Sequence, residues 1–574
     1  MLDEFISLSQ RGDALWISDV RRAFAAEPDA YRAVIRLECL DGTLRDYSCP
    51  LPHWENAAGR DFLAEYLTAR IFNILSCFSG RALHVYLDLS AEEPRRLAED
   101  CLATFTATPG LKKVLNIARR LCGSMGLPPF GMDVHDISDY APAPPREAPA
   151  SGVSLNERLL AAIEAGGRGA YCGMDVGGTD IKLAAALDGR LLAVKEYDWN
   201  PAASPTADGI TEPMMMLARL MRACVIADSL PKDHSALAVL AAALRKDADD
   251  EEIRTAISAC EGAAGLPLFD GLGLSFPDIV IGSRILGGET PKTKAMRENP
   301  DVDYETEFAK LSHVSESLAA LCRPGVRVRI INDGPMAAFS AAVELAADGA
   351  ELTHGVVAYA LGTDLGSGWI DARGDIPEIP LELYDLLLDL GSAPWKRVPP
   401  EDIRSVRNEN SGLPGVRRYL GQAATYRLAQ ELQPSLLDGL TEESDGVIRI
   451  KTAPQDMRKP ALERLMTAAA DGNEAAREIF RRIGSNLAAL TEEMEYLLST
   501  GTDSRYIFGR FAKIPGCFAL IREGFGSVLP GMKLIAADDG LARSGLMRQL
   551  ARLEGVTVAQ FAQAVSAIYY SCMN

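Results

Sequence analysis

The chain has 574 residues, more than one hydrophobic core organises, so roughly two to four domains are expected. Hydrophobic residues make up 48% and charged residues 24%, the balance of an ordinary globular protein, so disorder is not expected outside short linkers. A formal net charge of −20 argues against a general nucleic-acid partner, whose phosphates it would repel.

The N-terminus, MLDEFISLSQRGDALW, carries acids early and has no long apolar run, so it does not read as a signal peptide. No run of about 18 apolar residues occurs, so no membrane span is expected. The short Ala-rich run 237–244 reads as a buried helix. The 11 cysteines are scattered singly, with no C-x-x-C pair and none near a His at zinc-ligand spacing. They read mainly as small buried apolar residues of a cytoplasmic protein with free thiols.

Residues 1–139 read as a separate α+β domain of unassigned role. Partial alternation over 33–39 is followed by Asp41-Gly42, a tight hairpin turn, and a second strand. Helical apolar spacing covers 62–78, alternation returns over 83–89, and two more helices are expected over 92–107 and 111–125. The Pro/Ala-rich segment 140–153 reads as an extended linker. A helix over 155–165 follows. Strands are then expected at 170–176, 271–275, 326–331, 355–360 and 505–508, with long helices at 213–229, 335–347 and 473–498. That alternation implies layered α/β architecture.

Four motifs on this framework carry chemistry. In Gly173-Met-Asp175-Val-Gly177-Gly178-Thr179-Asp180-Ile-Lys182, a strand ends at a carboxylate, turns on glycines and returns. Such a turn lets backbone N–H groups approach phosphate oxygens, and Asp175 is placed to hold Mg²⁺, through water. An ordinary structural hairpin is the other reading. The second, Ala360-Leu-Gly362-Thr363-Asp364-Leu-Gly366-Ser-Gly368, repeats the design, and two such hairpins can face each other across one triphosphate. The third, Ile330-Ile-Asn332-Asp333-Gly-Pro335, ends a strand at a helix start. Asp333 there could accept a proton from an attacking hydroxyl and Asn332 could hold a neighbouring one, although Asn-Asp-Gly-Pro is also a good helix cap. The fourth is the 473–498 helix followed by Tyr506-Ile-Phe-Gly509, which can floor an adenine pocket.

Taken in order, these motifs, with Gly271-Leu-Gly-Leu-Ser275-Phe-Pro277, resemble the ROK-type sugar kinases of the hexokinase/actin superfamily. The resemblance covers about 171–574. It implies a two-lobed, actin/hexokinase-like (ribonuclease H-like) ATPase fold, with lobes over 154–333 and 334–574. It also implies a carbohydrate kinase that uses ATP and Mg²⁺ to phosphorylate a hexose or related sugar. By that resemblance Asp333 is the general base, Asn332 and Asp333 contact the sugar, and Asp175 serves the metal. Gly177, Gly178, Thr179, Lys182, Gly362, Thr363, Gly366 and Gly509 line the nucleotide site. Glu378 stands in for the family's Glu-Gly-His, which is not visible. The partners implied are a sugar and a nucleotide, with neither nucleic acid nor membrane, and a homodimer as the candidate assembly.

Several positions depart from the family pattern. Asp180 stands where a Lys is usual, Asp364 replaces a glycine beside the second loop, and Arg510 replaces the second adenosine glycine. The family's zinc-binding cysteine cluster is absent. These departures keep open a second reading, a ROK-like sugar- or nucleotide-binding sensor without catalysis. A DNA-binding repressor is disfavoured by the strand pattern over 33–39 and the lack of a visible basic recognition helix.

Overall fold

The computed structural model describes residues 1–9, 11, 14–144, 153–288, 290–362, 365–391, 419–444, 446–512, 514–537 and 542–573. They are mixed α/β and divide into two compact units. One comprises Met1–Ala150, Ala360–Gly366 and Pro380–Ala536; the other comprises Ser151–Tyr359, Ser367–Ile379 and Ala537–Asn574. No helix among the described residues is long and apolar enough to cross a membrane.

In the first unit a four-stranded sheet runs in the order Leu44–Ser48, Ala33–Glu38, Ala82–Leu87, Gly131–Asp136. The first two strands form the hairpin expected around Asp41-Gly42, with Arg36 opposite Asp46. Ile35, Leu37, Leu83, Val85 and Leu87 are all buried. Helix Glu92–Ala107 lies against strands Ala82–Leu87 and Gly131–Asp136. The alternate residues Arg36, His84 and Asp133 belong to the other, polar face, as a period of two requires.

Helix Ala57–Phe78 is buried along most of its length because partners remote in sequence surround it. Asn73 donates to Glu493 Oε1 and to Leu387 O, each at 3.0 Å, and accepts from Leu387 N at 2.7 Å. Arg21 pairs with the fully buried Glu493, and Arg70 donates to Tyr496. Residues 1–139 thus share one unit with the later segment through buried polar pairs, which would be costly to open because each leaves a desolvated partner behind. Of the expected linker, Tyr140 and Ala143 bond to Asp46 Oδ2 at 2.9 and 2.8 Å, and 145–152 lie outside the described residues. The unit also holds helix Glu474–Leu498 packed on helix Pro515–Val528, and a parallel pair, Ser504–Phe508 with Lys533–Ala536.

The second unit is built on a five-stranded sheet in the order Arg329–Asn332, Gly271–Phe276, Ala170–Val176, Asp180–Leu187, Arg190–Asp198. The first three strands are parallel, and Asp180–Leu187 runs antiparallel to both its neighbours. Both faces are covered. Cys172 and Met174 join the core with helix Asp208–Asp228, while Gly173 and Gly273 turn toward helix Val558–Ser571. A Cβ at Gly173 would lie 1.9 Å from Ala564 O, and one at Gly273 would lie 1.8 Å from Ala567 O. The helix backbone therefore rests directly on the sheet, which only glycine allows. The expected boundary at 333/334 does not coincide with the division between units: helix Asp333–Ala347 lies in the second.

Candidate functional site

Strand Ala170–Val176 places Asp175 between Lys182 on one neighbour and Ser275 on the other. The chain then turns through 177–179, closed by Gly177 N donating to Asp180 O at 2.7 Å. Trp199 braces the turn from behind, its backbone N donating to Thr179 O at 3.0 Å and its indole Nε1 to Gly177 O at 3.1 Å. Gly178 and Thr179 stay exposed at the tip. The turn is rigid at its base and open at its point, as a cradle for an oxyanion must be.

Asp333 stands at the carboxyl end of strand Arg329–Asn332, on the first residue of helix Asp333–Ala347. Asn332 caps that helix: its Oδ1 accepts from Gly334 N at 2.9 Å and its Nδ2 donates to Asp278 O at 2.9 Å. Both ends of the carboxamide thus serve the fold. Gly334 N also donates to Asp333 Oδ1 at 3.0 Å. The helix start is pinned in place, since a Cβ on Gly334 would fall 2.0 Å from Ser367 O.

These groups form one electrostatic cluster. Burial pushes the Asp175 carboxyl up to about 6, with Asp333 and Asp180 adding to the rise and Lys182 and Ser275 opposing it. Asp333 remains reachable by water, but the protein crowding it raises its pKa, against the pull of Lys292 and the Gly334 N–H. Asp180 is paired with Lys182. The carboxylate that departs from the family pattern therefore carries its own counter-charge, and Lys182 is committed to it.

Lys292 escaped the sequence reading. Its Cε would lie 3.5 Å from a Cβ on Gly178, and its charge acts on Asp333, so the side chain lies beside the turn tip within electrostatic reach of the helix start. The loop carrying it is held by Asp278, whose Oδ1 accepts from Ile279 N at 2.7 Å and whose Oδ2 accepts from Gly288 N at 3.0 Å. The only signal in the sequence was a lysine in a Gly/Pro-rich loop, Gly287-Gly-Glu-Thr-Pro-Lys292.

The remaining candidates lie elsewhere. Glu378 is exposed and accepts from Gly282 N at 2.8 Å, in the hairpin joining Val280–Ile281 to Arg284–Ile285, and its charge adds to the rise that burial gives the Tyr570 pKa. Gly362, Gly366 and Gly509 belong to the first unit. There Gly362 O accepts from Gln422 N at 3.1 Å, and Gly509, at φ 100°, approaches Leu361 so closely that a Cβ would meet its carbonyl oxygen at 2.4 Å. Arg510 pairs with Glu463 at 3.7 Å. Thr363 and Asp364 lie outside the described residues.

The raised pKa of Asp175 has a consequence for stability. Between about pH 4, where an ordinary aspartate ionises, and about pH 6, the folded chain holds a proton that the unfolded chain has released. Folding stability contributed at this position therefore falls as pH rises through that window and stays low above it. Asp175→Asn is expected to melt above the wild type at pH 7.5 and together with it below pH 4. An equal or lower melting temperature at pH 7.5 would show that Lys182 and Ser275 outweigh burial.

No family model and no curated protein matches the chain. Among solved structures it is similar to a ROK family glucokinase from Streptomyces griseus in complex with glucose and AMPPNP, at 18% identity over 66% of this chain and 98% of that one, with a TM-score of 0.36. It is similar to the Lmo2764 protein from Listeria monocytogenes, a putative N-acetylmannosamine kinase, at 14% identity over 70% and 98%, TM-score 0.39. A ROK hexokinase from Thermus thermophilus gives 18% identity over 66% and 96%, TM-score 0.33. The resemblance to ROK sugar kinases seen in the motifs recurs among these structures.

Proposed function

We propose that the chain transfers the γ-phosphoryl group of ATP to a hydroxyl of a hexose or related sugar. The observation that carries this reading is Asp333, held at a helix N-terminus on a strand end, in one charge cluster with Lys292, Asp175 and the glycine turn tip. The choice of a sugar as acceptor rests on the motif resemblance.

Each group has a role that its surroundings explain. Asp333 takes the proton from the attacking hydroxyl; crowding that raises its pKa makes it a stronger base than an ordinary carboxylate. Lys292 and the exposed turn at Gly178 and Thr179 orient the phosphates and offset their charge. Asp175 offers the kind of oxygen donor that Mg²⁺ prefers, and a cation there would relieve the repulsion it feels from Asp333 and Asp180. When bound, Mg²⁺ would neutralise negative charge on the phosphates. Trp199 and Asn332 keep the two halves of the cluster in register, the first by bracing the turn and the second by capping the helix.

A coupled assay of ADP release against hexoses and amino sugars tests the reading, and turnover with none of them opposes it. Lys292→Ala is expected to raise the KM for ATP by roughly 10- to 100-fold, the value of a charge-assisted bond to phosphate. An unchanged KM would remove Lys292 from the nucleotide site.

A further inference from the structure

The outer face of the N-terminal sheet carries a second cluster, remote in sequence from every motif above. Strands Ala82–Leu87 and Gly131–Asp136 pair in parallel with His84 beside Asp133 and Tyr86 beside His135. Side chains in register on neighbouring strands share a face, and residues two apart share it too. His84, Tyr86, Asp133 and His135 therefore project together, opposite the buried Leu83, Val85 and Leu87. His84 Nδ1 and His135 Nε2 come within 3.1 Å although 51 residues separate them in the chain. One donor atom from each of His84, Asp133 and His135 lies within 4.8 Å of the others.

We propose that His84, Asp133 and His135 form a binding site for a single divalent transition-metal ion of the zinc class. Two imidazole nitrogens on a tetrahedral zinc, each at about 2.0–2.1 Å, sit about 3.4 Å apart. The observed pair is close to that spacing and needs little movement to open around an ion. A set of two imidazoles and one carboxylate selects zinc, cobalt or nickel over magnesium and calcium, which take oxygen donors. The histidines are half-buried and Asp133 is exposed, so the protein supplies one side of the coordination sphere and water fills the other.

The surroundings hold the ligands in place. Tyr86 stacks on the His135 ring with centroids 5.2 Å apart and planes 26° apart, which fixes its orientation. Arg36, in register with His84, is a competing cation. It is held by Asp46 through two bonds of 2.7 and 2.8 Å, so its charge is answered within its own pair. Glu38, two residues further along the same face, adds negative charge. Ten of the free cysteines are buried and one is half-buried, so thiols are not placed to compete for the ion.

The test is titration of the metal-free, full-length protein with Zn²⁺ alone by calorimetry, and with Co²⁺ by visible absorption. The expected result is one Zn²⁺ per chain with a Kd in the micromolar range or tighter, and a Co²⁺ spectrum of low coordination number. His84→Gln, His135→Asn and the exposed Asp133→Asn should each weaken Zn²⁺ by more than about tenfold, the least that disturbing a ligand set costs. Zn²⁺ should also raise the melting temperature of the wild type and fail to raise that of the histidine variants, whose metal-free melting shows whether they are folded. Absence of Zn²⁺ binding in the wild type overturns the proposal. So does binding that survives both histidine substitutions, including the case in which it is lost with Asp175→Asn, which would assign the ion to the carboxylate cluster instead.

Discussion

Asp333→Ala is expected to lower kcat by about 10²–10⁴-fold, the contribution of a positioned general base, while ATP affinity changes little. The separation follows from what Asp333 touches. Its carboxylate bonds to the Gly334 N–H at the start of its own helix and feels the Lys292 charge. The glycine turn is closed and braced by Asp180 and Trp199, without Asp333. Removing the carboxylate takes away the proton acceptor and leaves the turn intact, and the helix keeps its Asn332 cap. Steady-state ADP release and nucleotide titration of the variant check both halves. Turnover close to wild type would remove Asp333 as the base, whereas a loss of ATP binding as large as the loss of kcat would mean that it acts on the nucleotide.

Gly273→Ala should cost about 3 kcal/mol or more of folding stability, read as a lowered urea midpoint. The added methyl would lie 1.8 Å from Ala567 O, and that oxygen belongs to a helix backbone that cannot rotate aside. Either helix Val558–Ser571 lifts off the sheet or the strand shifts. Because Ser275 lies two residues on, donates to Gln563 of that helix at 3.3 Å and sits in register with Asp175, the disturbance should reach the carboxylate cluster as well. Activity is expected to fall with stability. A midpoint equal to wild type would show that the helix does not rest on the sheet at this point.

The sequence was most legible where local chemistry and structure coincide. Strand Ala170–Val176 ends where the glycine turn begins, and Asn332-Asp333-Gly-Pro starts a helix because its side chains and proline suit that position. Helix Glu92–Ala107 likewise follows its apolar spacing. Contacts made at long range were not legible. The Pro/Ala segment 140–153 suggested an independent N-terminal domain, yet Arg21 and Asn73 find their partner in Glu493, more than 400 residues away. Gly273 belongs to the Gly-Leu-Gly-Leu-Ser stretch that carries the family resemblance. Its immediate physical reason is the approach of a helix some 290 residues later, about which a single strand is silent.

The candidate site divides the same way. Asp175, Asp333 and the 177–179 turn stand out because strand ends, cap residues and glycines mark them. Lys292 depends on Asp278 folding a loop back over the turn, and no local pattern announces that. Asp180 stands out in the sequence as a carboxylate where a lysine is usual, and its partner is Lys182, opposite Asp175 on the returning strand. The His84–His135 pair likewise needs two strands to be neighbours before it exists at all.

The central claim is that this charge cluster serves phosphoryl transfer to a sugar. Calorimetric titration with ATP·Mg²⁺, in the presence and absence of a panel of hexoses and amino sugars, tests it most directly. The account predicts nucleotide binding that tightens with at least one sugar and is weakened by Lys292→Ala. No nucleotide binding under any of these conditions would contradict it.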